Sequence, residues 1–210
     1  MIENALKILE HSSLFITGGA GAGKTTLTLA LIEDALQRGK SVARLASTGM
    51  AATLIGGQTL HSFFDLGIAN SQEELERNGK LDPSKKIIKL IRSMNMIVID
   101  EISMVGAQLL DMIRLRLLQA EFNGRLVVVG DFLQLPPVVR GNEPIYFAFE
   151  SPSWERLGFK TLHLEGSYRT HEAKFLSLLE KVRHARLDEE AHEELEALVK
   201  PLNEDMSTMT

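Results

Sequence analysis

Cysteine is absent from the 210 residues, so disulfides and thiolate metal sites are both excluded and the redox compartment is unmarked. No apolar run approaches the roughly 20 residues of a membrane span. The N-terminus, MIENALKILEHSS, carries Glu3 and Glu10 and patterns as an amphipathic helix rather than a secretory leader. There is no basic excess either: 23 Lys and Arg stand against 28 Asp and Glu, a formal net charge of −5. Domains built to hold nucleic acid are usually basic, so tight DNA binding by this chain alone is not expected. A local groove stays open, because acidic helices on another face can dominate the sum. Internal repeats and low-complexity segments are also missing. What remains is an ordinary globular composition, 44% hydrophobic and 24% charged. Its length buries one full α/β core, or one core and the start of another.

The stretch that organises the rest is LFITGGAGAGKTT, Leu14 to Thr26. Leu14, Phe15 and Ile16 read as a short buried strand that stops at a glycine-rich loop, and a helical pattern begins at Lys24. Gly18, Gly23, Lys24 and Thr25 satisfy G-x-x-x-x-G-K-[ST], the phosphate-binding loop. A polyphosphate needs several backbone N–H groups aimed at one point, which the glycines permit, and the helix start adds the positive end of its dipole. Lys24 offers a point charge to the β- and γ-phosphates, and Thr25 a hydroxyl to Mg²⁺. ATP chemistry without a leader points to an intracellular, cytoplasmic location.

In chain order, the pattern predicts a helix over 2–11, a strand over 14–17 and a helix from 24 to about 38 stopped by Gly39. A strand over 41–46 follows, then short helices around 50–54 and 60–66. Residues 67–84, polar and broken by Gly67, Gly79 and Pro83, read as a surface insertion. A helix over 85–93 feeds a strand at 96–100. A helix over about 105–121 leads to a strand at 126–129, and 130–158 is mostly loop. A fifth strand covers 160–164, and helices at about 171–186 and 188–199 close the chain, with the last nine residues frayed. Short apolar strands alternating with helices predict an α/β fold: a parallel sheet with helices on both faces.

Two further strand ends carry chemistry. MIVIDE delivers Asp100 and Glu101 at the C-terminal end of a strand, the edge where ligands bind in a parallel sheet. Asp100 is the candidate for Mg²⁺, and Glu101 for polarising the attacking water. VVVGDFLQLPPV repeats the design, with Asp131 and Gln134 able to reach a γ-phosphate or its water. Gln suits sensing because its amide hydrogen-bonds without adding charge. Pro136 and Pro137 stiffen the loop, so motion at Gln134 passes to whatever the loop touches.

The strings GGAGAGKTT, ASTGMAA, GGQTLHSFF, VIDEISMV, GDFLQLPPV and YRT, in this order, resemble the motifs of superfamily 1B DNA helicases, the Pif-type enzymes and their RecD-like relatives. The resemblance covers roughly residues 14–186. It implies a RecA-like motor domain over 1–186, with 187–210 a helical linker toward a second motor domain that would lie beyond Thr210. It also implies an ATPase that moves 5′ to 3′ on single-stranded DNA, in DNA repair and recombination. Gly19, Ala20, Gly21, Ala22, Gly23, Lys24, Thr25 and Thr26 would bind the phosphates of ATP. Asp100 and Glu101 would act on Mg²⁺ and water. Gln134 would couple the γ-phosphate to the DNA, and Arg169 would reach the γ-phosphate across the domain cleft. Thr170 departs from the more usual Gln after that arginine. Ser47, Thr48, Gly49, His61 and Ser62 match segments that grip the DNA backbone without base specificity. For His61 a buried structural role stands equally open. Phe63 and Phe64 offer rings for base stacking, with at least one expected in the core; Trp154 reads as a packing residue.

The adenine-reading glutamine that the family carries upstream of the phosphate loop is missing, since residues 1–13 contain no Gln. Without a facing domain to hold Arg169, weak ATPase activity and no strand separation are expected of this chain; losing an arginine finger costs on the order of a thousandfold. A nucleotide kinase shares the loop and the sheet but needs an acceptor site and an arginine-rich lid, and neither is evident. A non-catalytic, nucleotide-dependent binding module is the other alternative, against which Lys24, Asp100, Glu101 and Gln134 stand.

Overall fold

Successive side chains of the buried strands point to opposite faces, and here both faces are apolar. In the computed structural model, which describes residues 1–139, 144–165 and 173–198, six strands form one sheet. They are β1 (Leu14–Gly18), β2 (Val42–Ala46), β3 (Gln58–Thr59), β4 (Met96–Asp100), β5 (Arg125–Val129) and β6 (Lys160–Leu164). Their order is β3-β2-β4-β5-β1-β6 and every pairing is parallel. Phe15, Ile97, Ile99, Leu126 and Val128 enter one core; Leu14, Ile16, Met96, Val98, Val127 and Val129 enter the other. This period-2 split of uniformly apolar strands requires cover on both sides. The two-residue β3 is the strand the sequence pattern does not predict.

The helices are α1 (Ile2–His11), α2 (Lys24–Gln37), α3 (Gly49–Leu54), α4 (Leu60–Phe63), α5 (Gln72–Arg77), α6 (Lys85–Arg92), α7 (Ala107–Gln119), α8 (Pro152–Leu157), α9 (Ala173–Arg183) and α10 (Glu189–Leu198). Ala5 of α1 and Leu27, Leu31, Ile32 and Ala35 of α2 cover one face. Ile91 of α6 and Leu110, Met112, Ile113 and Leu117 of α7 cover the other. Each such Leu or Ile contributes roughly 1.5–3 kcal/mol by burial, before ordering costs. Side chains also pin the N-terminal edge of the sheet. Arg125 donates to the carbonyls of Leu9 and Glu10 at 2.9 Å each, and Asn95 Oδ1 accepts from the Ser41 amide at 2.9 Å. The sheet therefore presents its opposite, C-terminal edge on a fixed frame. No described helix is long and apolar enough to cross a membrane.

The segment 67–84 is more than a surface insertion. It contains α5, whose N-cap Ser71 accepts from the Glu74 amide, and it sends Ala69 and Leu75 into the core, both fully buried. What draws it in is Arg116 of α7, itself fully buried. Its guanidinium donates to the Phe64 carbonyl at 3.0 Å, to the Leu81 carbonyl at 2.7 Å and to the Lys80 carbonyl. Both ends of the insertion are thus tied to one side chain.

By internal packing the chain divides into two compact units, Met1–Tyr168 and Arg169–Thr210. In the second unit α9 and α10 are joined by a turn in which Lys181 pairs with Asp188, 2.9 Å, while Asp188 accepts from the Ala191 amide and so caps α10.

Candidate active site

The phosphate loop begins where β1 ends. A side chain at Gly18 would run its Cβ into the Leu164 carbonyl of β6, so only glycine lets the two strands stay paired at this point. Gly23 is the N-cap of α2 and supplies no side-chain cap, which leaves the first amides of the helix directed at the loop. Lys24 Nζ donates to the carbonyls of Gly18 and Gly19 at 2.8 and 2.9 Å, closing the loop over itself. Thr25 and Thr26 are exposed on the first turn, and Thr28 bonds back to the Lys24 carbonyl.

Sheet order brings the other candidates to this loop. β5 lies between β4 and β1, so the ends of all three strands stand side by side, and the Gly130 amide bonds to the Ile16 carbonyl at 3.1 Å. Gly130 allows a second close approach: a Cβ there would sit 3.0 Å from the amide nitrogen of Ile102. The Asp131 loop is thereby laid against the turn that carries Glu101. Glu101 itself has φ 53° and ψ 49°, a left-handed conformation that costs a non-glycine residue about 1 kcal/mol or more. This conformation turns the chain sharply off β4 into a 3₁₀ turn, Ile102–Met104, ahead of α7.

Charge is concentrated here. Burial pushes the Asp100 carboxyl above its ordinary range, opposed by the Glu101 amide, which it accepts at 3.0 Å, and by Lys24. Burial likewise raises Glu101, reinforced by the negative charges of Asp100 and Asp131 and opposed by Lys24. Lys24 is the cation acting on both carboxylates, which places the three groups in one electrostatic neighbourhood. A hollow of about 220 Å³ is lined by Glu101, Gln134 and Thr48, with Met50, Leu54, Met104 and Leu135 as apolar walls. Thr48 caps α3, accepting from the Ala51 amide at 3.2 Å, and exposed Gly49 opens that helix. Ser47 Oγ is buried and has no hydrogen-bond partner among the described residues.

His61 lies apart from this hollow. It is half-buried and lines a larger groove of about 660 Å³ with Asn70, Glu74, Gln108, Pro137 and Tyr146. Ser62 beside it is exposed. Met104 lines both cavities and marks where they adjoin. Phe63 and Phe64 are not available for stacking on a base: they are 2% and 0% exposed and meet edge to face at 4.9 Å. Trp154 packs on Phe15 and Phe159, as expected of a packing residue. Arg169 and Thr170 lie outside the described residues. The apolar wall formed by Met50, Leu54 and Leu135 has no sequence signal, since exposed methionine and leucine look like core until the fold is known.

A family model described as PIF1-like helicase matches residues 1–194. The ATP-dependent DNA helicase Pif1 of Campylobacter jejuni is 40% identical over 198 residues, which are 90% of this chain and 44% of that protein. The crystal structure of Pif1 helicase from Candida albicans superposes with a TM-score of 0.81 at 36% identity, covering 96% of this chain and 47% of that one. For Bacteroides Pif1 bound to ssDNA the TM-score is 0.79 at 28% identity, covering 96% and 49%. The chain therefore spans less than half the length of each of these relatives. With a phosphate loop and two acidic or polar strand ends on one edge of a RecA-like parallel sheet, and a family match over nearly its whole length, this chain belongs to the PIF1-like helicase family.

Proposed function

We propose that the chain is the ATP-binding and ATP-hydrolysing first motor domain of a 5′–3′ DNA helicase acting on single-stranded DNA. The observation that carries this reading is the gathering of Lys24, Asp100, Glu101 and Gln134 at one sheet edge, beside Thr48 at the start of α3.

In this reading residues 19–26 hold the triphosphate through backbone amides, and Lys24 exchanges its loop carbonyls for β- and γ-phosphate oxygens. Glu101 accepts the proton of the attacking water as its oxygen bonds to the γ-phosphorus and the bond to ADP breaks. A carboxyl raised by burial is the better proton acceptor for that role. Mg²⁺ fits the donor set: Thr25 and Asp100 offer hard oxygens, and Asp100 is desolvated beside Lys24. Among the described residues no three His, Cys, Asp or Glu cluster as a complete cage, which suits an ion that keeps waters and phosphate oxygens in its shell. Such an ion supplies charge neutralisation at the phosphate oxygens.

Thr48, Gly49, His61 and Ser62 are assigned to the DNA backbone, together with the main chain of Ser47, whose hydroxyl is buried, and Gln134 relates γ-phosphate state to that grip. Arg169 is assigned to the γ-phosphate, and a second motor domain of the same helicase is the further partner. The test is ATP turnover by the chain with and without oligo(dT). Turnover is expected to be slow in the wild type, lost in Lys24→Ala together with nucleotide binding, and lost in Glu101→Gln with binding retained. Equal turnover by wild type and Glu101→Gln overturns the catalytic assignment and favours a nucleotide-dependent binding module.

A further inference from the structure

Asp131 is 2% exposed, and three of its hydrogen bonds go to its own loop. Its Oδ1 accepts from the Leu133 amide at 3.1 Å, and its carbonyl accepts from the Gln134 amide at 2.9 Å. Its Oδ2 accepts from the carboxamide Nε2 of Gln134, also at 3.1 Å. Gln134, in contrast, is exposed, as are Leu133, Leu135 and Pro136 around it. The side chain assigned to sensing is therefore held down by a buried anion three residues before it.

A carboxamide nitrogen carries two hydrogens, and a phosphate oxygen can only accept. Asp131 is buried and Gln134 exposed, so a γ-phosphate that draws the carboxamide outward takes its nitrogen away from the Asp131 carboxylate, and the two anions pull one group in different directions. We propose that Asp131 is the resting partner of Gln134, holding its carboxamide until a γ-phosphate takes it, so that Asp131 is a positioning residue that lowers affinity for ATP relative to ADP. This rests on the nucleotide site proposed above. Gln134 itself lines the hollow with Thr48, Met50 and Leu135, so its release changes that wall while the bonds of Asp131 to the Leu133 and Gln134 amides keep the turn.

Asp131→Asn separates the latch from the turn. The asparagine oxygen still accepts from the Leu133 amide, while its NH₂ turns Gln134 over to accept, and the glutamine NH₂ is left for the phosphate. Dissociation constants for ADP and for the β,γ-imido analogue of ATP, measured by calorimetry with Mg²⁺, test the idea. Asp131→Asn is expected to tighten the analogue about five- to tenfold relative to ADP, the scale of one net hydrogen bond. In a Gln134→Ala background the same substitution is expected to leave the ratio unchanged. An unchanged ratio in the single variant overturns the latch. So does an equal shift in both backgrounds, which marks a plain charge effect. If wild type binds neither nucleotide, the phosphate-loop reading fails first and the latch with it; loss of binding in Lys24→Ala secures that reading independently. Should Asp131→Asn not fold, the ¹⁵N side-chain resonance of Gln134 in wild type decides: it moves on adding the analogue and not ADP, and failure to do so overturns the proposal.

Discussion

Arg116, fully buried on α7, donates its Nε to the carbonyl of Phe64, 52 residues earlier in the chain, at 3.0 Å. With its other nitrogens on Lys80 and Leu81, it closes the base of the insertion whose residues Asn70, Ser71 and Glu74 wall the groove at His61. Buried carbonyls tolerate the loss of a donor poorly, because water cannot replace it.

Replacing Arg116 by Leu leaves the carbonyls of Phe64 and Lys80 without this donor, while Leu81 keeps Gln119 at 3.0 Å. The expected cost is about 3 kcal/mol, or roughly 10 °C in melting temperature for a domain of this size. A calorimetric melt of Arg116→Leu checks it; a loss below about 1 kcal/mol means the guanidinium is not what holds the insertion.

The raised carboxyls of Asp100 and Glu101 have a definite sign. Each holds its proton to higher pH in the fold than in the unfolded chain, so the fold is favoured below the ordinary carboxylate range and loses that stabilisation as pH climbs past it. Above the ordinary carboxylate range both shifts therefore cost stability. Asp100→Asn is therefore expected to raise the melting temperature at pH 7 without nucleotide, with the gain shrinking toward pH 4. Equal gains at both pH values, or a loss at pH 7, contradict the desolvation argument.

Glu101 occupies a conformation that glycine adopts at little cost. Glu101→Gly and Glu101→Gln both remove the desolvated charge and the proton acceptor, and the glycine variant should be the more stable of the two by about 0.5–1 kcal/mol because it also relieves the backbone. Turnover should fall by about 10²–10⁴ in both. Chemical denaturation alongside an ATPase assay reads both effects, and a glycine variant no more stable than the glutamine one shows that no strain resides there.

Gly130→Ala brings a methyl to 3.0 Å of the Ile102 amide nitrogen and Cγ2, pushing the Glu101 turn off its position. Small misplacements of a catalytic group cost about 10²-fold in rate, so turnover should drop at least tenfold. Affinity for ADP, held mainly by the loop at residues 19–26, should change less than threefold. Parallel loss of rate and affinity means that the two strand ends are not separately positioned.

Much of this was written locally. The phosphate loop is a contiguous string whose glycines, lysine and threonine act on one ligand, and each buried strand is a short apolar run with its polar residues at one end. Local hydrogen-bonding and burial preferences suffice to read those, which is why Lys24, Asp100, Glu101 and Gln134 were legible before the fold. Other features depend on partners far along the chain. Leu75 looks like one apolar residue in a polar segment until Arg116 draws that segment onto α7. Phe63 and Phe64 carry the same rings whether they stack on a base or on each other. Gln134 looks free to sense until Asp131, brought against the Glu101 turn by Gly130, is seen to hold it. Sequence alone determined which chemical groups this protein owns and that they sit at strand ends. Tertiary structure decided which of them are buried, strained or already engaged, because desolvation and competition for hydrogen bonds arise only when distant segments meet.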